Sequence, residues 1–254
     1  MINKMKNVIE FYSKIDAVFH EFPIEFSGDN IPAWMDLAKA DYMNNKNSQS
    51  VYKCPGIVEL MTSGYIVKTW HDIEVGSDMN GRLIASYPSD ELEKLLGFPP
   101  VQIQGGDTVA KHVPKRPWSH RDILKINTPW HIVAPKGVKF MMLPISYTDE
   151  IAFESTIGIL DPAVSNEINV QGYVNKLGVI RAGTPIAQLI PISERRYETV
   201  VRKMTESDKA WIDRKWFLSH FSFIFNRSRA KKAYEDHYSQ QDAKKCPFHN
   251  IIGK

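Results

Sequence analysis

The feature that most constrains the fold is a series of short apolar segments between residues 123 and 191, separated by turns that contain proline or glycine. Such turns stand at 127–129, at 134–137 and at 182–185, and β-branched and aromatic residues fill the segments between them. Many short strands at this spacing are typical of a β sandwich or barrel. We therefore predict antiparallel β structure, with almost no helix, from residue 123 to residue 201.

Helical signals flank this β region. Pro32 and Pro55 are placed as first-turn prolines of two short helices, and the sequence 89–91, with Gly97 after it, predicts a third. Residues 1–30 fit a strand with a hairpin or a helical stripe. Near the C-terminus, residues 205–208 are typical of an N-cap, and apolar side chains then recur at helical spacing. They are Trp211, Phe217 or Leu218, Phe221 and Phe225, and we expect them to pack on the β region.

These patterns divide the chain into three parts. Residues 1–64 are predicted to be an N-terminal decoration with short helices, residues 65–204 the β core, and residues 205–254 a helical C-terminal extension docked on that core. The predicted fold class is thus mainly β with peripheral helices.

Composition narrows the classes of function. The formal charge of +3 is too small to predict a nucleic-acid partner, and no apolar run approaches the ~18 residues of a membrane span. The first residues lack the pattern of a signal peptide. Cys54 and Cys246 lie far apart and form no C-x-x-C pair, so the expected compartment is a reducing cytoplasm with two free thiols.

The stretch 158–191 carries the most specific motif. It resembles the third and fourth motifs of the dUTP pyrophosphatases and the related dCTP deaminases. The residues that match are Gly158, Leu160, Asp161 and Glu167, then Gly183, Ile186, Ala187, Gln188 and Leu189. The family's tyrosine is replaced here by Val164 and its glycine by Asn166, and its remaining motifs are not visible. The whole chain also resembles uncharacterised proteins from large tailed-phage genomes, which implies the cytoplasm of a host cell.

The resemblance implies roles for two residues. Asp161 would be the catalytic general base that orients the attacking water, and Gln188 would help to organise a phosphate site, with Mg²⁺ as cofactor if the protein is a nucleotide hydrolase. It also implies a dUTPase-like β fold and a homotrimer. Structural alternatives stand beside these roles, because Asp161-Pro162 suits a turn and a buried Gln188 suits a loop anchor. We predict that the two residues lie on neighbouring turns or strands and that both side chains face one concavity.

Other candidate residues lie outside this stretch. The basic segment 111–121 supplies Lys115, Arg116 and Trp118, which would bind a phosphate-bearing ligand or form a solvated loop. The basic cluster at 227–232 has the same two interpretations, with RNA, DNA or an acidic partner as its ligand. Three histidines would either share a metal or each lie half-buried beside a tryptophan. These are His71, His120 and His131.

Two functions follow from these observations. The leading one is a phage-type nucleotide-binding protein that hydrolyses or deaminates its ligand. The competing one is a non-catalytic β-scaffold for protein–protein assembly or host interaction. The completeness of the motifs discriminates between them, and the missing motifs favour the scaffold.

Overall fold

The structure is a computed structural model that describes residues 7–47, 49–148, 151–221 and 227–244. Strands dominate it. In chain order they are β1 Val8–Ser13, β2 Glu25–Phe26, β3 Tyr65–Lys68, β4 Ile73–Ser77, β5 Leu83–Ser86, β6 Val101–Gln104, β7 Ile123–Val133, β8 Phe140–Leu143, β9 Phe153–Ser155, β10 Gly158–Leu160, β11 Glu167–Val174, β12 Gly178–Ile180, β13 Pro185–Pro191 and β14 Glu198–Lys203. The helices are α1 Asp16–Glu21, α2 Ala33–Asn44, α3 Pro55–Thr62, α4 Glu91–Leu96, α5 Glu206–Phe221 and α6 Arg227–Lys244. The protein is therefore mainly β with peripheral helices, as predicted.

Three sheets organise the strands. The largest has the order β14-β1-β7-β11-β9, with β6 also paired to β7. The second has the order β10-β8-β13-β3-β2, and the third the order β12-β4-β5. Phe11 of the first sheet lies against Tyr65 and Phe140 of the second, with ring centroids 4.7 and 6.4 Å apart. The two larger sheets thus share one apolar core.

The predicted β region contains no helix among its described residues from 123 to 201. Its pairs are antiparallel with one exception, because β14 pairs with β1 in parallel. The N-terminal segment that we expected to be a decoration therefore supplies a strand of the largest sheet, since β1 lies between β14 and β7. The sequence of residues 1–30 fits either a strand or a helix, and the structure contains one of each, with β1 followed by α1.

The turn predicted at Asn127-Thr128-Pro129 is wrong, because β7 runs through it. Pro129 has no N–H to donate, so it fits a strand only at an edge or a bulge. The register with β11 passes from Asn169 opposite Asn127 to Glu167 opposite His131, which leaves a bulge around the proline. Within that bulge the Thr128 hydroxyl donates to the backbone carbonyl of Ile168. The local irregularity replaces the turn and lets the strand continue.

The C-terminal helices contact the β sheets where they are described. Trp211 of α5 is buried and its indole N–H donates to Asn166 Oδ1 at 3.3 Å, and the hydroxyl of Tyr234 on α6 accepts from the backbone N–H of Ala134. Phe217 is exposed instead. The side chains of Leu218 and Phe221, and all of Phe225, lie outside the described residues. Trp211 is thus the predicted aromatic residue that the structure places against the β region.

Candidate functional site

Asp161 follows directly after β10 and begins a turn. Its side chain is 8% exposed, and its Oδ1 accepts a hydrogen bond from the backbone N–H of Ala163. Its Oδ2 lies 3.0 Å from Nζ of Lys231 on α6. Aspartate commonly caps a turn in this way, and the ion pair adds a link to the helix. These are the contacts that the structural interpretation of Asp161 requires.

Gln188 lies in β13 and is 5% exposed. Its amide Nε2 donates to the backbone carbonyls of Leu60 and Ser63, both at 2.7 Å, and lies 3.2 Å from the hydroxyl of Ser27. The amide therefore connects the central part of the second sheet to the end of α3 and to the residues after β2. Such contacts satisfy a buried amide without a ligand at its nitrogen.

Asp161 and Gln188 do not lie on neighbouring strands, so that part of the prediction is wrong. Strand β8 separates β10 from β13, with Leu160 opposite Phe140 and Gln188 opposite Leu143. With about 4.8 Å between strands and about 3.3 Å per residue, the two Cα positions lie about 16 Å apart. Asp161 contacts α6, whereas Gln188 contacts α3.

The basic segment lies against the largest sheet. Lys115 Nζ donates to a backbone carbonyl five residues earlier, and Arg116 lies 2.7 Å from Glu154 Oε1 of β9. The Arg116 guanidinium also lies 5.6 Å from the ring of Tyr173 on β11 and 6.0 Å from the exposed ring of Trp118. The two cations are therefore engaged by protein groups, on a different sheet from Gln188.

The three histidines do not form a metal site. Across the described ranges, no group of three or more His, Cys, Asp or Glu side chains is suited to hold a metal ion. His71 is buried with its ring edge-on to Trp70, as the structural interpretation predicts. His131 instead stacks on Tyr12, with ring centroids 4.9 Å apart. His120 is half-buried in the basic segment.

A buried ionic network that no sequence motif indicated joins α5 to the first sheet. Asp208 is fully buried, and its carboxylate accepts hydrogen bonds from Nη1 and Nη2 of Arg202, at 2.6 and 3.1 Å. Arg202 also donates to Glu10 on β1, and Asp208 accepts from the backbone N–H and the hydroxyl of Thr205. Burial by itself would raise the pKa of Asp208, but the hydrogen bonds from Arg202 and Thr205 hold that pKa below its usual range. The network fixes the start of α5 to β1 and β14.

Charged groups also surround His131. Its Nε2 lies 3.8 Å from Glu167 Oε1, and Lys215 Nζ of α5 lies 3.5 Å from the same carboxylate oxygen. Burial lowers the pKa of His131 from 6.5 to about 4, although the Glu167 charge opposes the shift. Lys14 and Lys215 act in the same direction as burial. The imidazole is therefore neutral at physiological pH.

An apolar surface remains open at the edge of the second sheet. Ile159 of β10 is opposite Met141 of β8, which is in turn opposite Ile190 of β13. Ile157 precedes β10 on the same face and is 70% exposed, and Ile159 is 56% exposed. We call these residues, Met141, Ile157, Ile159 and Ile190, the edge surface. Contiguous exposed apolar groups of this kind mark interaction sites more often than scattered ones do.

The fold and these sites define a mainly β protein with helices docked on its sheets. No protein-family model matches the chain significantly, and no curated protein sequence does. None of the helices in the described ranges is long and apolar enough to cross a membrane.

Proposed function

We propose that the chain is a non-catalytic β-scaffold that assembles with a second copy of itself through the edge surface. The observation that carries the proposal is the row of apolar side chains across β10, β8 and β13, in which Ile159 and Met141 are exposed and Ile190 is half-buried. Burying such side chains between two molecules contributes about 25 cal/mol for each Å² of apolar area removed from water.

The face of the second sheet that carries the edge surface has one covered half and one exposed half, and this difference supports the proposal. The row of Leu143, Gln188 and Ile66 lies on the same face as Met141 but is covered, since Gln188 donates to residues at the end of α3. The adjacent row with Ile159 and Met141 has no such cover among the described residues and stays exposed. One half of the face is thus closed by this chain, and the other half is available to a partner.

The edge surface suits a second copy in particular. Its four side chains carry no charge, so two copies would meet without repulsion between like charges at the centre of the contact. A twofold axis, the commonest symmetry of oligomers, would place the edge surface of one copy face to face with that of the other. Ile159 of each copy would then be buried at the contact.

The competing proposal is a dUTPase-like nucleotide hydrolase or deaminase. Support for it is weaker, because Asp161 and Gln188 contact different helices and lie about 16 Å apart by strand spacing. Lys115 and Arg116 already bind protein groups.

Sedimentation velocity over a concentration series tests the scaffold proposal. The unmodified chain is expected to dimerise, and Ile159→Lys is expected to shift it to monomer because a lysine ammonium would be buried at the contact. Ile84→Lys is the matched control, since Ile84 is equally exposed but lies in β5 of another sheet. A chain that stays monomeric throughout the series, or a dimer that Ile159→Lys leaves intact, would show that the edge surface is not a self-association site.

A thermal-shift panel of nucleoside triphosphates, with and without Mg²⁺, tests the competing proposal. A ligand that binds only the folded state raises the melting temperature by mass action. We expect no shift with any nucleotide. A saturable shift that Asp161→Asn abolishes would support the nucleotide function instead.

A further inference from the structure

We propose that a pocket beneath the covered half of the second sheet binds a small uncharged aromatic molecule that carries one hydrogen-bond donor. The pocket has a volume of about 220 Å³. Ile66 of β3 and Gln188 of β13 line one side of it. The other sides are formed by the residues after β2, the end of α3 and the segment 145–148. It is separate from the edge surface, so the two proposals fail independently.

Gln188 supplies the polar anchor of this pocket. The contacts of Nε2 with the carbonyls of Leu60 and Ser63 fix which end of the amide is nitrogen, because an oxygen there would face two acceptors. The opposite atom, Oε1, can only accept. Among the described residues no N–H or O–H donates to it. An acceptor that lines a pocket and has no protein donor is satisfied by a donor on a ligand or by water.

The residues that line the pocket disfavour a charged ligand. Pro32, Met61, Ile66 and Ile145 line it with apolar groups, and the polar groups that line it are neutral side chains such as Ser27. No charged side chain of the described residues lines it. An ion that entered would lose its hydration without gaining a counter-charge, which is strongly unfavourable. The same argument excludes a phosphate chain from this position.

The wall formed by residues 145–148 is held in place. Tyr147 has a φ of 60°, a left-handed conformation that is uncommon outside glycine. Its carbonyl accepts from the indole N–H of Trp34 at 2.9 Å, and the two rings lie 5.8 Å apart. Residues held in such conformations by their surroundings cluster at ligand sites. The contact with Trp34 thus fixes the backbone beside the Ile145 wall before any ligand binds.

The volume sets the size of the ligand. An apolar cavity of about 150 Å³ in another protein is known to bind benzene, so a pocket of this size accommodates one ring with substituents or two fused rings. The acceptor Oε1 of Gln188 calls for an O–H or N–H on that ring system. Phenols and indoles are the class that meets both conditions.

Titration with three matched probes, followed by NMR chemical shifts of the protein, tests the proposal. Phenol is expected to bind saturably at residues that line the pocket. Toluene, which replaces the hydroxyl with a methyl group, is expected to bind at least about fivefold more weakly, because Oε1 of Gln188 is then left without a donor. Benzoate is expected not to bind. Phenol that binds no better than toluene or benzoate, or no probe binding at all, would overturn the proposal.

A filled pocket provides the second arm of the test. Ile145→Phe extends a ring into the pocket and is expected to abolish phenol binding, whereas the same change in Ile84→Phe, on the exposed face of β5, is expected to leave it unchanged. Met61→Phe fills the pocket from the α3 side and replaces Ile145→Phe if that variant does not fold. Phenol binding that survives in the folded filled variant would place the phenol elsewhere and refute the assignment.

Discussion

Acidification is expected to destabilise the protein through His131. The folded state lowers the pKa of this imidazole from 6.5 to about 4, chiefly by burial. Between these two pH values the imidazole is protonated in the unfolded chain and neutral in the folded chain. The stabilisation is therefore complete above about pH 6.5 and is lost as the pH falls towards 4. For these two values, linkage predicts a loss of about 2.5 kcal/mol in the free energy of unfolding between pH ~7.5 and pH ~4.5.

Urea denaturation across this pH range, on the unmodified protein and on His131→Phe, measures the loss. Phenylalanine keeps a ring that can stack on Tyr12 but cannot titrate. Burial also lowers the pKa values of His71 and His237, but both residues are present in the two proteins and their contributions cancel. We expect the unmodified protein to lose about 2.5 kcal/mol more than the variant. Equal pH dependence in both proteins would refute the reasoning, because it would show that His131 accepts a proton as easily in the folded state as in the unfolded one.

Three further predictions concern stability and use the same denaturation assay. Asp208→Ala should cost about 3 kcal/mol, because it removes one of the two carboxylates that compensate the partly buried Arg202 guanidinium and leaves Glu10 alone to do so. A loss below about 1 kcal/mol would contradict the network. Asp161→Asn should cost about 1 kcal/mol through the ion pair with Lys231, with no effect on nucleotide response, and an unaltered midpoint would show that the pair contributes nothing. Gly172→Ala should cost about 1–3 kcal/mol, since a Cβ there would clash with the Glu154 carbonyl, and an unaffected variant would mean that β9 moves aside freely.

Local turn chemistry was the part of the fold that the sequence predicted well. Gly97 adopts a φ of 88° directly after α4, which is the left-handed cap expected of a glycine in that place. Proline at the first turn marked α3 equally well. These signals depend on a few adjacent residues, so they need no knowledge of the partner strands.

The errors arose where a residue's role depends on a distant partner. The sequence predicts a turn at Pro129, because the bulge that accommodates this proline is set by the register of β7 with β11. It also predicts that Asp161 and Gln188 lie on neighbouring strands, because sequential strands usually neighbour each other. Here β11 joins the first sheet and β12 the third before the chain returns in β13, which pairs with β8 instead of β10. The sequence does not predict the pocket beside Gln188 for the same reason. Its lining residues are spread between Ser27 and Gln188 and share no motif.

The parallel pairing of β1 with β14 has a consequence for how the chain matures during synthesis. Glu10 on β1 and its partner Arg202 on β14 are 192 positions apart in the sequence. At about 5–20 residues per second, translation would take roughly 10–40 s to deliver the second partner after the first has been made. Throughout that interval β1 lacks its partner strand β14, although its apolar residues Ile9 and Phe11 are buried in the folded protein. The nascent chain therefore exposes an unpaired strand edge. Chaperones or neighbouring chains on the same polysome can bind this edge before β14 pairs with β1.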